Sequence, residues 1–512
     1  MRSFLTRYGL KAAAAGALLA LLTWYYVHFY SFAFSVNSDN AYFLLAGEDM
    51  LSGNLLLANW RGGFFTGLTG DILATALLRT FLSRKAVLYL TGPLTYALIA
   101  GLSLLLMTPS TGKRNLPIRL ACLLPILFVP TALRHPLLTV GMHGIAVVYI
   151  LLLFFLTEKA LSSNRGGDRW LRLGLLSFIA AAGVIADTFV LYYGVLPLLA
   201  VLILRQFRQR TGNEIKLIFL LGIAAVIGKA VPAWLNQAGF LQTGAAQTTL
   251  TPLSHLPAYL LNTLLTWLRI FGFILSELNG PLLRAIPQIA GAVAALMILA
   301  ALLRTLLQFF RADRLTQVLL AACAFCAGSF TFTTVTREEQ AVRYLSPAFF
   351  FGLILFARQL TERPLNQPKI QAMFCLPLLL FSLGNVRTTY LSGPQNNQAF
   401  IEIGEALLER GLQNGYGTYW ESHAINYYSD NRISVAPVET ANDVAIPSAQ
   451  ATKMDWYKAG FNAEFLLVSR NKTYGLTEPV VRAAFGPYDE YLLFNETDIY
   501  IYHRNISQEF EK

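Results

Sequence analysis

The chain has 512 residues, of which 55% are hydrophobic and only 13% are charged. A soluble globular protein is usually about one quarter charged, so the composition excludes an ordinary soluble enzyme and indicates a polytopic membrane protein. The net charge of +11 does not predict nucleic-acid binding, because the lysines and arginines lie mainly between apolar segments rather than in a basic stripe.

A helix needs about 20 apolar residues to cross a membrane, and by this criterion the sequence predicts about eleven spans. The first span begins with basic residues and lacks a clean cleavage site, so we interpret it as a retained signal anchor. The predicted spans cover residues 11–30, 86–107, 117–133, 138–156, 172–187, 189–204, 216–235, 284–303, 315–335, 343–358 and 370–387.

The positions of the basic residues predict the orientation of the spans. Most lysines and arginines lie at alternate ends of the spans, beginning with Arg2 and Arg7, and these ends are predicted to be cytoplasmic. The first loop and the C-terminal region then face outward, as in a protein of the bacterial inner membrane. Arg79, Arg84 and Lys85 depart from the pattern at an outer end. They either contact an anion or extend to the membrane interface.

Two parts are predicted along the chain. Residues 1–389 form a membrane domain with an acidic first outer loop at 31–85, and residues 390–512 form a small extracytoplasmic α/β domain. Residues 256–278 are predicted to form a surface or re-entrant helix rather than a span. The elements expected in the C-terminal domain are a helix at Ala399–Arg410 and strands at Gly415–Trp420, Glu464–Ser469 and Tyr491–Tyr502.

The first loop contains four acidic residues close to an apolar span, where a carboxylate is costly unless it meets water, a partner or a substrate. Apolar residues at helical spacing predict an amphipathic helix on the membrane surface, ended by Gly53 and Asn54. The four acids are Asp39, Glu48, Asp49 and Asp71. Asp39 either caps this helix or serves as a catalytic base. A structural role is favoured for Asp49.

Two further groups point to chemistry. Asp187 lies between apolar runs, where an uncompensated carboxylate predicts either a substrate contact or an ion pair with an arginine. Arg337 and Arg343 lie in one dense charged cluster at the outer end of an apolar span, and a guanidinium matches phosphate oxygens with paired donors. The neighbouring glutamates could instead form ion pairs with these arginines. The histidines lack metal-ligand spacing, and nucleotide-binding loops are absent, so no cofactor is predicted and a divalent metal is not indicated.

The order of these features resembles the GT-C superfamily of membrane glycosyltransferases, which includes the protein O-mannosyltransferases and the lipid A aminoarabinose transferases. The resemblance rests on the acidic first loop, SDNAY at residues 38–42, and on Arg343-Tyr344 in RYLSP. It implies a sugar donor carried on a polyprenyl phosphate or diphosphate, with Asp39 as the catalytic residue. Members of the superfamily often have a second acid beside this one, whereas Asn40 stands here, which argues against a metal bound by such a pair.

The sequence therefore predicts a polytopic α-helical membrane protein with a GT-C-like fold. It would transfer a sugar from a polyprenyl-phosphate carrier to a lipid, glycan or protein acceptor, in contact with membrane lipids and without nucleic acid. A transporter or lipid flippase is an alternative, although we find no internal repeat, and a polysaccharide polymerase or ligase is another. The predicted site consists of the catalytic Asp39 and the substrate contacts Arg343, Tyr344, Asp187, Arg337, Glu48 and Tyr42.

Overall fold

The computed structural model describes residues 2–30, 36–108, 116–161, 166–209, 212–244, 249–274, 282–334, 342–361, 368–391 and 397–511. Helices make up most of these residues. In chain order they are α1 (Arg2–Phe29), α2 (Ser38–Leu51), α3 (Leu73–Arg79), α4 (Arg84–Leu106), α5 (Leu116–Leu127), α6 (Thr131–Leu138), α7 (Gly144–Leu161), α8 (Gly166–Ala186), α9 (Leu196–Gln209), α10 (Gly212–Gln237), α11 (Leu256–Ile270), α12 (Leu282–Leu307), α13 (Arg314–Phe332), α14 (Val342–Leu360), α15 (Pro368–Leu391), α16 (Gln398–Glu409), α17 (Tyr419–Tyr428) and α18 (Glu478–Phe485).

The strands are short and lie mostly in the C-terminal quarter of the chain. They are β1 (Trp60–Arg61), β2 (Asn414–Gly417), β3 (Ser434–Ala441), β4 (Val444–Pro447), β5 (Thr452–Lys453), β6 (Phe465–Ser469), β7 (Glu490–Phe494) and β8 (Thr497–Ile501).

The chain forms two compact units. Unit 1 comprises Met1–Ser31, Tyr89–Lys229 and Gln247–Gly393, and unit 2 comprises Phe32–Leu88, Ala230–Ala246 and Pro394–Lys512. The predicted first loop therefore falls largely in unit 2, together with the C-terminal residues.

Unit 1 is a bundle of apolar helices in which α12 packs against α15, α13 against α14, and α7 against α8. Among the described residues, seven helices are long and apolar enough to cross a membrane, or up to eight if α5 and α6, which meet at a bend of 77°, count as one span. Three segments predicted as spans, at 11–30, 343–358 and 370–387, are the helices α1, α14 and α15, which fall outside that group. The polytopic membrane architecture is confirmed.

The segment at 256–278 contains α11, a helix of 15 residues. This length is below the roughly 20 residues that a span requires. One face of α11, with Trp267 and Ile270, is buried, and the helix packs against α13 and α14. The prediction of a non-spanning helix agrees with these dimensions.

One end of unit 1 gathers charged side chains from segments that were predicted to be cytoplasmic. Arg358 donates to Asp313 Oδ2 at 2.6 Å and to the carbonyl of Leu106 at 2.9 Å. Arg205 and Glu214 form a second ion pair at 3.3 Å. These contacts place the ends of several helices that were predicted to be cytoplasmic side by side, and the orientation itself stays a prediction.

Unit 2 is built on a six-stranded mixed sheet with the strand order β4-β3-β2-β6-β8-β7. The three central strands, β3, β2 and β6, are parallel, and the outer strands are antiparallel to their neighbours. Because side chains alternate along a strand, Phe465 and Leu467 join α16 and α17 in one core, whereas Leu466 and Val468 join α18 in the other. Helices on both faces of a mainly parallel core define an α/β domain, as predicted.

The predicted helix and two of the predicted strands of this domain match α16, β2 and β6 to within a few residues. The single strand predicted at 491–502 is wrong. It is the hairpin β7–β8, turned at Asn495 and Glu496, which both have positive φ angles of 44° and 62°. An asparagine tolerates this conformation, so the turn interrupts an otherwise continuous apolar run.

Helix α2 was predicted to lie on the membrane surface, and this is wrong. Ten of its fourteen residues are buried, because α3 covers one side and α17 covers another. The helix does end before Gly53, whose φ of 108° requires glycine. Its apolar stripe packs inside unit 2 and not against lipid.

Candidate functional site

Asp39 lies in the first turn of α2, one residue after the helix begins at Ser38. The helix is capped by Asn37, whose side chain accepts from the Asn40 backbone N–H at 3.2 Å, while Asn40 Oδ1 accepts from the Asn37 N–H at 2.9 Å. This reciprocal capping box leaves no capping role for Asp39. The alternative in which Asp39 caps α2 is therefore wrong.

The carboxylate of Asp39 is held by a tyrosine from the C-terminal part of the chain. Tyr419 Oη donates to Asp39 Oδ1 at 2.6 Å, a short distance typical of a hydroxyl bound to a charged acceptor. Burial and the Asp39 charge raise the pKa of Tyr419 well above its usual value, so the phenol remains a donor. Asp39 is half-buried, and among the described residues no donor is recorded at its second oxygen, Oδ2.

The position of Tyr419 follows from the sheet. Strand β2 ends at Gly417, and Tyr419 opens α17 directly beyond the carboxyl end of that strand. Two hydrogen bonds of 3.1 Å through Ser38 Oγ fasten the first turn of α2 to that of α17: the hydroxyl donates to the Trp420 carbonyl and accepts from the His423 N–H. The carboxyl ends of parallel strands are the usual place for a ligand in such sheets.

Tyr42, predicted as a substrate contact, lies one turn after Asp39 and is 3% exposed. Its ring packs edge-on against Trp60 at 5.6 Å and lies 6.5 Å from the ring of His423. Its hydroxyl has no hydrogen-bond partner among the described residues. The Tyr42 side chain thus belongs to the aromatic interior of unit 2, and its contact with a substrate stays a prediction.

His423 lies beneath this cluster and is completely buried. Burial lowers its pKa to about 4, and its Nε2 contacts the carbonyl oxygen of Ala451. The imidazole is therefore neutral at physiological pH.

Glu48 and Asp49, the next acids of α2, both have internal partners. Glu48 Oε1 lies 2.9 Å from Arg79 Nε and 3.0 Å from Arg84 Nε. The two arginines that broke the charge pattern of the spans thus share a protein counter-ion. The predicted role of Glu48 in substrate binding stays a prediction. In the structure its carboxylate forms ion pairs with these two arginines.

Asp49 is fixed by three donors. Asn54 Nδ2, Trp60 Nε1 and Lys453 Nζ lie 2.6, 2.7 and 2.9 Å from its oxygens. Burial alone would raise the pKa of Asp49, but these donors together hold it below its usual value. Lys453 belongs to β5, which pairs with β1 at Trp60, so Asp49 ties α2 to this small sheet. The structural role favoured from the sequence agrees with these contacts.

A second polar cluster lies in unit 1 around Asp187. Asp187 Oδ2 is 2.5 Å from His143 Nδ1, and Oδ1 accepts from the Phe189 N–H at 2.9 Å. The imidazole stacks on the Phe189 ring at 4.0 Å. The partner of this buried carboxylate is therefore a histidine rather than an arginine.

The predicted pair Arg343-Tyr344 joins the same cluster. The Tyr344 ring lies 5.9 Å from that of His143 and 5.5 Å from that of Phe189. Arg343 Nη2 donates to Tyr344 Oη at 2.9 Å. Asp187 and Tyr344 thus both contact His143, and Arg343 joins the cluster through its hydrogen bond to Tyr344. Arg337 lies outside the described residues.

His143 and Tyr419 were not predicted. No spacing rule links Tyr419 to Asp39 or His143 to Asp187, because each pair forms only through the tertiary fold. In the sequence His143 lies within the predicted span 138–156 and gives no signal, whereas in the structure it stands out by a φ of +67°. A left-handed backbone is unusual for a histidine and often accompanies a functional site.

Among the described residues, no group of three or more His, Cys, Asp or Glu side chains is arranged to hold a metal ion. The four cysteines are free and mostly buried. The absence of a cofactor stays an expectation.

No family model matches the sequence, and no curated protein matches it. Among solved structures, ArnT from Cupriavidus metallidurans in the apo state matches with a TM-score of 0.56 and 10% identity, covering 98% of this chain and 99% of that one. The oligosaccharyltransferase of Archaeoglobus fulgidus, solved with Zn and sulfate, matches with a TM-score of 0.48 and 14% identity, covering 93% of this chain and 72% of that one.

Of these two structures, ArnT has the TM-score above 0.5 and is the one compared with this chain. ArnT is a lipid A aminoarabinose transferase, and both proteins are GT-C glycosyltransferases. The present chain is an integral membrane protein with the GT-C fold along nearly its whole length. The resemblance inferred from the first loop and from Arg343-Tyr344 is confirmed at the level of the fold.

Proposed function

We propose that the chain is a membrane glycosyltransferase that moves one sugar from a polyprenyl-phosphate carrier to a hydroxyl or amine of a lipid, glycan or protein. The fold supports a transferase of this class. The observation that carries the proposal is the half-buried Asp39 carboxylate, fixed through Oδ1 by Tyr419 at 2.6 Å.

Transfer of a sugar requires a base, because the acceptor loses its proton as its oxygen or nitrogen attacks the anomeric carbon. In the proposed reaction Asp39 takes that proton. The new bond to the anomeric carbon forms as the bond from that carbon to the phosphate oxygen breaks, and the carrier phosphate leaves with the electron pair. Tyr419 acts as a positioning residue that holds one carboxylate oxygen so that the other can face the acceptor.

A leaving phosphate needs cationic donors. Arg343 suits this role because its guanidinium can bind two phosphate oxygens at once. Asp187 is proposed to act through His143, whose ring it fixes by the contact of 2.5 Å. An imidazole held in this way presents its other nitrogen in a defined direction.

We place the reaction on the outer side of the membrane, with the N-terminus in the cytoplasm. The distribution of basic residues supports this orientation, and the inner ends that it predicts are those joined by the Arg358–Asp313 and Arg205–Glu214 ion pairs. A lipid-borne donor also agrees with the lack of a nucleotide-binding motif in the sequence.

The test uses the full chain, purified in nanodiscs, with a panel of polyprenyl-phosphate sugars and a membrane extract as the source of acceptors. Mass spectrometry of the extracted lipids follows the loss of each donor. The variants are Asp39→Asn and, as a matched control, Asp443→Asn. Asp443 is exposed and has a φ of 59°, a conformation that asparagine adopts readily.

The proposal predicts that one donor is consumed by the wild type and by Asp443→Asn, but not by Asp39→Asn. Equal consumption by all three proteins would exclude Asp39 as the base. If no donor in the panel is consumed and labelled glycolipid instead crosses the bilayer, the chain is a translocator and the proposal is wrong.

A further inference from the structure

Arg134 of α6 is a buried cation that has no carboxylate partner in the described part of the chain. It is 6% exposed, and no acidic side chain among the described residues lies within the 4.0 Å that defines an ion pair. Arg358, which is 1% exposed, differs from Arg134 because it has a counter-ion: Asp313 Oδ2 lies 2.6 Å from its Nη2. A buried guanidinium normally requires such a counter-ion, because its loss of hydration is costly.

The groups that do contact Arg134 are neutral. Its Nε donates to the Val129 carbonyl at 3.2 Å, and Nη2 donates to the Asn385 carbonyl and to Thr388 Oγ1, both at 2.7 Å. Nη1 donates to none of the described residues. These contacts fix the plane of the guanidinium, but within the described ranges they supply neither a counter-ion for its charge nor an acceptor for Nη1.

A second observation points to a ligand at the same place. The ring of Tyr30 lies under the guanidinium, with Cζ 5.4 Å from the ring centroid. Tyr30 is 2% exposed, and its hydroxyl has no hydrogen-bond partner among the described residues. A buried hydroxyl without a partner is as unusual as a buried cation without one. Both groups are donors, so both are satisfied by an anion with several oxygens.

The location indicates which anion. Tyr30 directly follows α1, Arg134 lies just beyond the break between α5 and α6, and Thr388 is in the last turn of α15. Three helix ends therefore meet here. The preceding turns of α1 include Trp24, which is 60% exposed, and an exposed tryptophan near the end of an apolar helix is typical of the level of the lipid headgroups.

We propose that Arg134 and Tyr30 bind the phosphate group of a membrane lipid where α1, α6 and α15 meet. Nη1 of Arg134 donates to the phosphate, the Tyr30 hydroxyl adds a second donor, and the acyl or prenyl chain lies along the apolar helices. The phosphate belongs either to a glycerophospholipid or to a polyprenyl phosphate. This binding site shares no residue with the Asp187 cluster and does not depend on the proposed glycosyl transfer.

The experiment is native mass spectrometry of the detergent-solubilised full chain with added lipids. The lipids are phosphatidylglycerol, undecaprenyl phosphate and, as a phosphate-free control, undecaprenol. The variants are Arg134→Met, Tyr30→Phe and Arg387→Met, the last removing an exposed arginine of α15. We expect Arg134→Met to lose about tenfold in occupancy of the phosphate lipid, Tyr30→Phe to lose severalfold, and Arg387→Met to match the wild type.

Hydrogen–deuterium exchange of the wild type provides a test that needs no variant, since Arg134→Met can destabilise the junction. We expect the preferred phosphate lipid to slow exchange in residues 131–138, whereas undecaprenol does not. The lipid that protects this segment identifies the source of the phosphate. Equal lipid occupancy in Arg134→Met, or protection by inorganic phosphate alone, would overturn the proposal. So would a wild type in which no phosphate lipid protects the segment.

Discussion

The hydroxyl of Tyr419 lies 2.6 Å from Oδ1 of Asp39, although 380 positions separate the two residues in the chain. The contact joins the first turn of α2 to the first turn of α17. It converts a carboxylate at the start of a helix into one with a fixed orientation, which is the property that a catalytic base needs.

Replacing Tyr419 with phenylalanine should lower the turnover of the proposed transferase about tenfold or more, because a hydrogen bond to a charged group contributes roughly 1.5–3 kcal/mol. The measurement is the initial rate at saturating donor. Tyr428→Phe, on the same helix, is the matched control for loss of a phenol hydroxyl, since the Tyr428 hydroxyl accepts a long hydrogen bond of 3.4 Å from the Val36 N–H. Identical rates for the two variants would exclude a positioning role for Tyr419.

Asp187 and His143 should behave as one unit. We expect Asp187→Asn and His143→Asn each to reduce turnover, and the double variant to be little worse than either, because each single change already breaks the 2.5 Å contact. A double-mutant cycle on the turnover rate measures this coupling. Effects that simply multiply would show that the two residues act independently.

Arg343 should act on donor binding. Arg343→Ala should raise the KM for the lipid-linked sugar about tenfold, and Arg343→Lys should restore only part of this loss, because an ammonium cannot offer the paired donors of a guanidinium. Steady-state kinetics with varied donor separates KM from kcat. An unchanged KM in Arg343→Ala would remove Arg343 from the phosphate site.

The buried His423 should make folding stability depend on pH. Its pKa is lowered by burial to about 4, whereas an exposed histidine titrates near 6.5, so between these values the unfolded chain binds a proton that the folded chain does not. The stability that comes from keeping His423 neutral is therefore fully present above about pH 6.5. It is lost as the pH falls towards 4, which lowers the free energy of unfolding by roughly 3 kcal/mol. Acid therefore lowers the free energy of unfolding through His423, whereas a pH above neutrality has no effect through this residue.

The check is thermal unfolding of the purified chain between pH 7.5 and 4.5. His423→Gln keeps a donor for the Ala451 carbonyl but cannot titrate, so it should lose less stability over this range than the wild type. Parallel curves for the two proteins would show that His423 does not account for the pH dependence.

Much of the fold was predictable because its signals are local. Long apolar runs mark the helices of unit 1, and the change in composition after Thr388 marks the start of the α/β domain. The burial of α2 was not predictable, because its covering helix α17 comes from residues 419–428. An apolar stripe facing protein and one facing lipid look alike in the sequence.

The site was predictable only in part for the same reason. Asp39 and Asp187 are conspicuous because a carboxylate next to apolar segments is costly. Their partners, Tyr419 and His143, are ordinary residues for their surroundings, and only the fold brings them within 2.6 and 2.5 Å. A single sequence identifies the costly group more readily than the group that compensates it.

The most direct test of the central claim is the rate at which free polyprenyl phosphate appears when the purified chain is given its preferred lipid-linked sugar and acceptor. Asp39→Asn should reduce this rate at least a hundredfold at saturating donor, since general-base catalysis contributes roughly 10²–10⁴, while the thermal unfolding temperature stays close to that of the wild type. Release at the wild-type rate from a folded Asp39→Asn protein would contradict the assignment of Asp39 as the catalytic base.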